Sequence, residues 1–303
     1  MLYVLGNIRE ITRNKQITKT LHKLICSVAI NKRRNMTFMK WVGCKSQLSN
    51  IIIDKINKIN YTKYYEPFVG GGSILFKLEP KNAIISDLNW ELINCYQQIK
   101  DNVKELSKFV DIHFKNHNKN YYLSIRKWDR KNDYSKISNI EKASRIIYLM
   151  TTCYNGLYRV NKKNQFNTPI GTNQKYDLER LVKCSSYLNN NNCIIESCSF
   201  SNYKTDDFCN SFFYLDPPYY SEDNSIYNNY TSNRFKESDQ ETLKTMCDYI
   251  DNKKGYFLLS NSNTSFIKQL YNRYDIKEVV TKRKISSKRS SRGDVVELLI
   301  SNY

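Results

Sequence analysis

Two strand–loop–helix units in immediate succession constrain this chain more than any other feature. The stretch "KYYEPFVGGGSILFKL" reads as a short strand, a glycine loop and a helix start. The stretch "NAIISDLNWELINCYQQI" reads as a strand from Ala83 to Ser86, then a loop and a helix. Strands joined through helices pair parallel, because a parallel pair needs a long crossover where a hairpin needs only a tight turn. A third strand lies in "FFYLDPPYY", from Phe212 to Tyr220. Prolines have no amide hydrogen to give a central ladder, so this strand must stop near Leu215 or Asp216. Asp216 and Tyr219 then sit in a stiff loop at a strand's carboxyl end, where open α/β sheets bind ligands.

The periodicity predicts an amphipathic helix from Lys45 to Ile59, with Leu48, Ile51, Ile52 and Ile56 three and four apart. From about 101 to 200 the chain turns mainly helical, in "DNVKELSKFVDIHFKNH" and "NIEKASRIIYLMTTCY". Two extended pieces follow, Leu157 to Asn161 and Gln165 to Thr168, flanking "KKN" as in a hairpin. Asn164 there is a residue able to take positive φ. Strand signals resume after about 193, in "CIIESCSF", "SFFYLD", "GYFLLSN", "IKEVVTKRKIS" and "DVVELLISNY". The expected organisation is a basic extension over 1–35, a core of 36–110 and 193–303, and an insertion over 111–192.

The chain carries 48 Lys plus Arg against 29 Asp plus Glu, a net charge of +19, which points to a polyanionic partner such as nucleic acid. Nine cysteines show no C-x-x-C pair, which suggests reduced thiols in a cytoplasmic or nucleoid-associated setting. His113 and His117 in "HFKNH" share a helix face but have no adjoining Cys or carboxylate, so an exposed face is expected there and no metal. No apolar run approaches a membrane span, and the N-terminal stretch does not read as a signal peptide.

The glycine loop "EPFVGGGS" offers close backbone approach and free helix amides. As a dinucleotide fingerprint it fails, because Leu75 occupies the third glycine position. It also lacks the Lys-Ser/Thr ending of a phosphate loop. Asp87, at the end of the next strand in "SDLN", can accept both hydroxyls of a ribose. The loop, that acid and "DPPY" at a third strand end together indicate a nucleoside site.

In "KWVGCK", "EPFVGGGS", "SDLN", "CYNGLYRVNKKNQFNTPIG", "DPPY", "LLSN" and "ISSKRSSRGDVVELL", taken in order, the chain resembles the Dam-type DNA adenine-N6 methyltransferases over about 38 to 303. The resemblance implies a Rossmann-like, mostly parallel α/β methyltransferase sheet with a mainly helical DNA-recognition insertion carrying a β-hairpin. It implies S-adenosylmethionine as methyl donor, contacted by Trp41, Lys45, Phe68, Val69, Gly70, Gly71, Asp87, Phe200 and Asp216. It makes Asp216, Pro217, Pro218 and Tyr219 the catalytic residues. The Asp216 carboxylate and Pro217 carbonyl would accept the N6 hydrogens of a flipped adenine stacked on Tyr219. It gives double-stranded DNA, in a GATC-like site, to Tyr154, Asn155, Leu157, Arg159, Asn167 and Pro169. Arg159 would address a guanine edge, and Leu157 would wedge into the stack. Lys282 to Arg292 would form a phosphate-contacting loop, and a monomer is expected.

The chain departs from the family pattern at three places. Cys44 stands at a usual glycine, which would cost about 1–2 kcal/mol if φ there must be positive. Asn164 replaces a hairpin glycine, and "GTNQKY" replaces a more basic continuation. Three other readings stay open at this stage. They are a DNA-binding homologue without catalysis, an RNA adenine or cytosine-N4 methyltransferase, and a nicotinamide oxidoreductase.

Overall fold

In a computed structural model of the chain, residues 37–203, 208–222, 235–282 and 294–303 are described. The extension over 1–35 and most of the basic segment expected to contact phosphate, 283–292, lie outside them.

Among the described residues, seven strands form one sheet in the order β3-β2-β1-β4-β5-β7-β6. They are β1 (Lys63–Glu66), β2 (Ala83–Ser86), β3 (Ile194–Glu196), β4 (Ser211–Leu215), β5 (Tyr256–Ser262), β6 (Asp275–Lys282) and β7 (Asp294–Ser301). Pairing is parallel from β3 through β5. β7 then runs antiparallel to both β5 and β6. The expected mostly parallel α/β sheet is therefore the fold observed. β4 ends at Leu215, directly before Asp216, as the prolines require.

The chain moves outward from β1 through β2 to β3, then returns to lay β4 on the other side of β1. The strand order thus reverses between β1 and β4, and the crevice beyond their carboxyl ends is where such sheets bind ligands. All five residues of β4 are buried, because a central parallel strand is covered on both faces. Successive side chains alternate between the two faces. Tyr64 and Phe212 stack on one face at 6.4 Å, and Tyr65 and Phe213 stack on the other at 4.3 Å. Each pair belongs to a separate apolar core.

The described helices are α1 (Ser49–Ile56), α2 (Leu75–Leu78), α3 (Trp90–Lys115), α4 (Lys119–Arg126), α5 (Asn139–Thr152), α6 (Glu179–Asn190), α7 (Glu237–Asn252) and α8 (Ser265–Leu270). α1 is shorter than the periodicity suggests, since residues 46–48 form a turn before it. Asn89 caps α3 by accepting from the Leu92 amide, so the loop holding Asp87 runs straight into a helix N-terminus. α5 begins with a Ser138–Glu141 capping box and packs along α3.

The hairpin is minimal, with one antiparallel bridge from Val160 to Phe166. Asn164 turns its loop at φ 56°, as its side chain allows. His113 corrects an expectation. It is only 4% exposed, bonded to the Tyr121 hydroxyl at 2.9 Å and the Ser144 hydroxyl at 3.2 Å. The helix face that carries it packs against α4 and α5, so spacing alone misplaced it. Among the described residues no helix is long and apolar enough to cross a membrane.

Candidate active site

The loop after β1 and the loop after β4 meet at the reversal point. Gly70 takes φ 48°, in the left-handed region that glycine enters without strain. Its amide donates to Asp87 Oδ2 at 3.2 Å, and the Asn89 amide donates to Asp87 Oδ1 at 2.9 Å. One carboxylate thus ties the glycine loop to the end of β2. Burial raises the Asp87 pKa to about 6, and these amide hydrogens limit the rise. A side chain at Gly71 would start 2.7 Å from Trp41 Cβ, so the missing Cβ makes room for the tryptophan. Trp41 therefore walls the loop and also packs on Tyr158, with ring centroids 5.3 Å apart. Phe68 and Phe200 lie 5.2 Å apart on the other flank. Val69 is buried in the core.

At the end of β4, Asp216 Oδ1 lies 2.9 Å from Lys45 Nζ, with both side chains largely buried, at 17% and 10% exposure. Burial raises the Asp216 pKa to about 6, against the opposing pull of Lys45. The same ammonium stands 4.6 Å from the centre of the Tyr219 ring and donates to the Gly43 carbonyl. Lys45, expected at the cofactor, thus sits against the acid and the ring of "DPPY". Gly43, not Cys44, takes the positive φ in this turn, at 86°. The strain expected at Cys44 is absent because its neighbour makes the bend.

Three acids near these loops carried no role in the sequence reading. Glu66 ends β1 and is 2% exposed; burial raises its pKa to about 8, so it is mostly uncharged near neutral pH. It therefore adds little negative charge beside Asp216. Glu297 on β7 accepts from the Tyr219 hydroxyl at 2.6 Å and from Thr281 at 3.1 Å. Glu91, in the first turn of α3, accepts from the Tyr158 hydroxyl at 2.8 Å and pairs with the fully buried Arg145 at 3.2 Å. Arg145 also pairs with Asp129 at 2.7 Å, and Asp129 accepts from the Phe166 amide at 2.7 Å. The hairpin is thus anchored to α3, four residues past Asp87, through buried charges. Within each of their segments the only sequence signal was an acid or Arg among apolar or aromatic residues.

On the hairpin, Tyr154 is 56% exposed and follows Cys153 into a turn where Asn155 takes φ 56°. Arg159 is exposed and bonds Asn167 twice, from Nε to Oδ1 at 2.6 Å and from Nη2 to the carbonyl at 3.1 Å. Its Nη1–Nη2 edge alone can address a base without breaking these bonds. Leu157 is partly buried and Pro169 exposed. Among the described residues no cluster suits a metal ion.

A methyl-donor nucleoside fits these groups. Asp87 stands at a strand end beside the glycine loop, aromatic side chains flank that loop, and Asp216 offers a carboxylate to a positively charged centre.

Comparison with known proteins agrees with this geometry. Residues 41–285 match the family model "D12 class N6 adenine-specific DNA methyltransferase". The type II methyltransferase M1.LlaDCHI of Lactococcus lactis subsp. cremoris is 39% identical over 277 residues, covering 90% of this chain and 97% of that protein. The type II methyltransferase M.MjaIII of Methanocaldococcus jannaschii is 37% identical over 291 residues, covering 88% and 98%. A DNA adenine methylase of Haemophilus influenzae is 29% identical over 279 residues, covering 88% and 94%. With a seven-stranded sheet that reverses between β1 and β4, the glycine loop and Asp216 at that reversal, and matches along most of its length, the chain belongs to the D12 class of N6 adenine-specific DNA methyltransferases.

Proposed function

We propose that this enzyme methylates the exocyclic N6 of an adenine flipped out of double-stranded DNA, within a GATC-like site, with S-adenosylmethionine as donor. The observation that carries the reading is the meeting of two loops at the sheet's reversal point. One is the Asp87-tied glycine loop, and the other holds Asp216 and Tyr219 against Lys45. Trp41, Phe68, Val69, Gly70, Gly71, Asp87 and Phe200 would hold the donor. When bound, S-adenosylmethionine supplies an electrophilic methyl on a positively charged sulfur.

The adenine amine is a weak nucleophile because its lone pair is delocalised into the ring. Asp216 and the Pro217 carbonyl accept its two hydrogens, drawing the lone pair back onto nitrogen. Pro217 and Pro218 hold that carbonyl still, which keeps the amine in a near-attack geometry. Tyr219, fixed by Glu297 at its hydroxyl and Lys45 at its face, receives the flipped base. The nitrogen lone pair would form the new N–C bond as the methyl–sulfur bond breaks and leaves its electron pair on the now neutral sulfur, and the amine gives up one proton on the Asp216 side.

Residues 111–192 act as the recognition insertion. Arg159 reads a guanine edge, a contact worth about 1–3 kcal/mol. Leu157 and Tyr154 fill the stack, Asn155 and Asn167 hold phosphate or base edges, and Pro169 meets a thymine methyl. The names of the two type II relatives support a modification role beside a restriction enzyme. We place the protein as a monomer on nucleoid DNA.

Methyl transfer from tritiated S-adenosylmethionine to unmethylated DNA, scored with restriction enzymes sensitive to GATC methylation, tests this. Incorporation without GATC protection keeps the enzyme and removes the target. Asp216→Ala should abolish transfer and leave DNA binding; transfer at the parent rate would remove Asp216 from the mechanism.

A further inference from the structure

The loop Asp216–Tyr220 has an unusual problem of anchorage. Pro217 and Pro218 have no amide hydrogens, so the loop cannot be pinned to the sheet through its own N–H groups there. Two side chains with no exposure to solvent, Gln240 on α7 and Asn261 on β5, stand against it. Gln240 Nε2 donates to the Pro218 carbonyl at 3.1 Å. Asn261 Nδ2 donates to Gln240 Oε1 at 3.0 Å. Asn261 Oδ1 accepts from the Tyr220 amide at 3.4 Å and from the Ser262 amide at 2.8 Å.

These bonds close a circuit that leaves the loop at Pro218 and re-enters it at Tyr220. Its polarity is forced. A carbonyl can only accept and a backbone N–H can only donate, so neither amide can flip without breaking the chain of bonds. Two buried primary amides with no other stated work are costly to keep unless fully bonded. Here every link runs to the loop or to β5. Gln240 thus holds the carbonyl that directly follows the Pro217 carbonyl used in the catalytic reading.

We propose that Gln240 and Asn261 are positioning residues for methyl transfer: their circuit sets the orientation of the Pro217 carbonyl, Asp216 and the Tyr219 ring. This rests on the catalytic reading of the Asp216–Tyr219 loop given above. Neither residue touches the base or the donor; both act through the backbone they hold.

The test uses two variants of the full chain and single-turnover transfer from tritiated S-adenosylmethionine to unmethylated GATC-containing duplex, with donor and DNA saturating. Gln240→Met keeps the volume and removes both bonds. Its transfer rate should fall about 10–100-fold, the scale of a displacement near 1 Å, while donor and DNA dissociation constants stay within about threefold of the parent. Gln240→Glu adds a readout that a packing role would not move. As a carboxylate it cannot donate to the Pro218 carbonyl; protonated, it donates one hydrogen and accepts one, as the glutamine does. The ratio of variant to parent rate should therefore climb as pH falls, approaching one. This pH series carries the test if the Met variant does not fold. A ratio that stays flat with pH, or a folded Met variant at the parent rate, overturns the inference while the catalytic reading stands. A parent chain that transfers no methyl to DNA removes the catalytic reading and the inference with it.

Discussion

Lys45 is placed to keep Asp216 ionised, and Lys45→Met separates that role from simple binding. The acid sits in a largely buried position where its pKa is raised to about 6 even with the ammonium 2.9 Å away. Removing one partner of a buried pair costs about 3–5 kcal/mol. At 1.36 kcal/mol per pKa unit, that would move the acid up by about 2–4 units, to roughly 8 or above. A raised carboxyl pKa means more neutral acid at neutral pH, so activity should be lost there and regained as pH rises. The assay is kcat/KM for the methyl donor from pH 5 to 10, which reports groups in the enzyme before the donor binds. The parent should bend downward below about pH 6, toward slope two, because the Asp87 pKa is also raised to about 6. The variant's Asp216 limb should lie near or above pH 8, with the parent value approached at the alkaline end. A variant whose profile is uniformly depressed with its limb still near 6 would refute the reasoning. Lys45 would then act by binding alone.

Arg145→Met should destabilise the fold by about 3–5 kcal/mol, since it leaves Asp129 and Glu91 without their buried cation; urea unfolding measures this. The same variant should loosen the hairpin, visible as faster amide exchange at Phe166. His113 is buried with its pKa lowered to about 4, through burial first and Arg145 second. Its contribution is fully present above the ordinary value near 6.5 and is lost as pH falls toward 4. Between pH 7.5 and 5 it should remove about 2 kcal/mol from unfolding free energy relative to a His113→Phe variant. Equal pH slopes for the two chains would show that His113 takes no part.

Much of the architecture was legible because local chemistry dictates it. β2 runs from Ala83 to Ser86, as read, because an apolar run of that length meets an acid and then a helix cap. β4 stops where two prolines remove the ladder's donors. Asn164 turns the hairpin at positive φ because asparagine tolerates it. Other positions were misjudged, one because its immediate neighbour takes the bend and one because the covering atoms are distant in sequence. Cys44 escapes strain because Gly43 bends first, and His113 is covered by α4 and α5.

Taken alone, the amino-acid order determined which segments hold strands, where β2 and β4 end, and that an acid, a glycine loop and a second acid fall at carboxyl ends. Those properties follow from hydrophobic runs, missing amide hydrogens and backbone freedom, all of which act within a few residues. Only the tertiary structure decided which side chains complete the site. Lys45 reaches Asp216, Glu297 reaches the Tyr219 hydroxyl, and Gln240 and Asn261 grip the proline loop because the sheet reversal and the antiparallel β7 bring remote segments to one edge. Crossover connections carry no local mark of the partner they will meet, so these contacts exist only once the sheet is assembled.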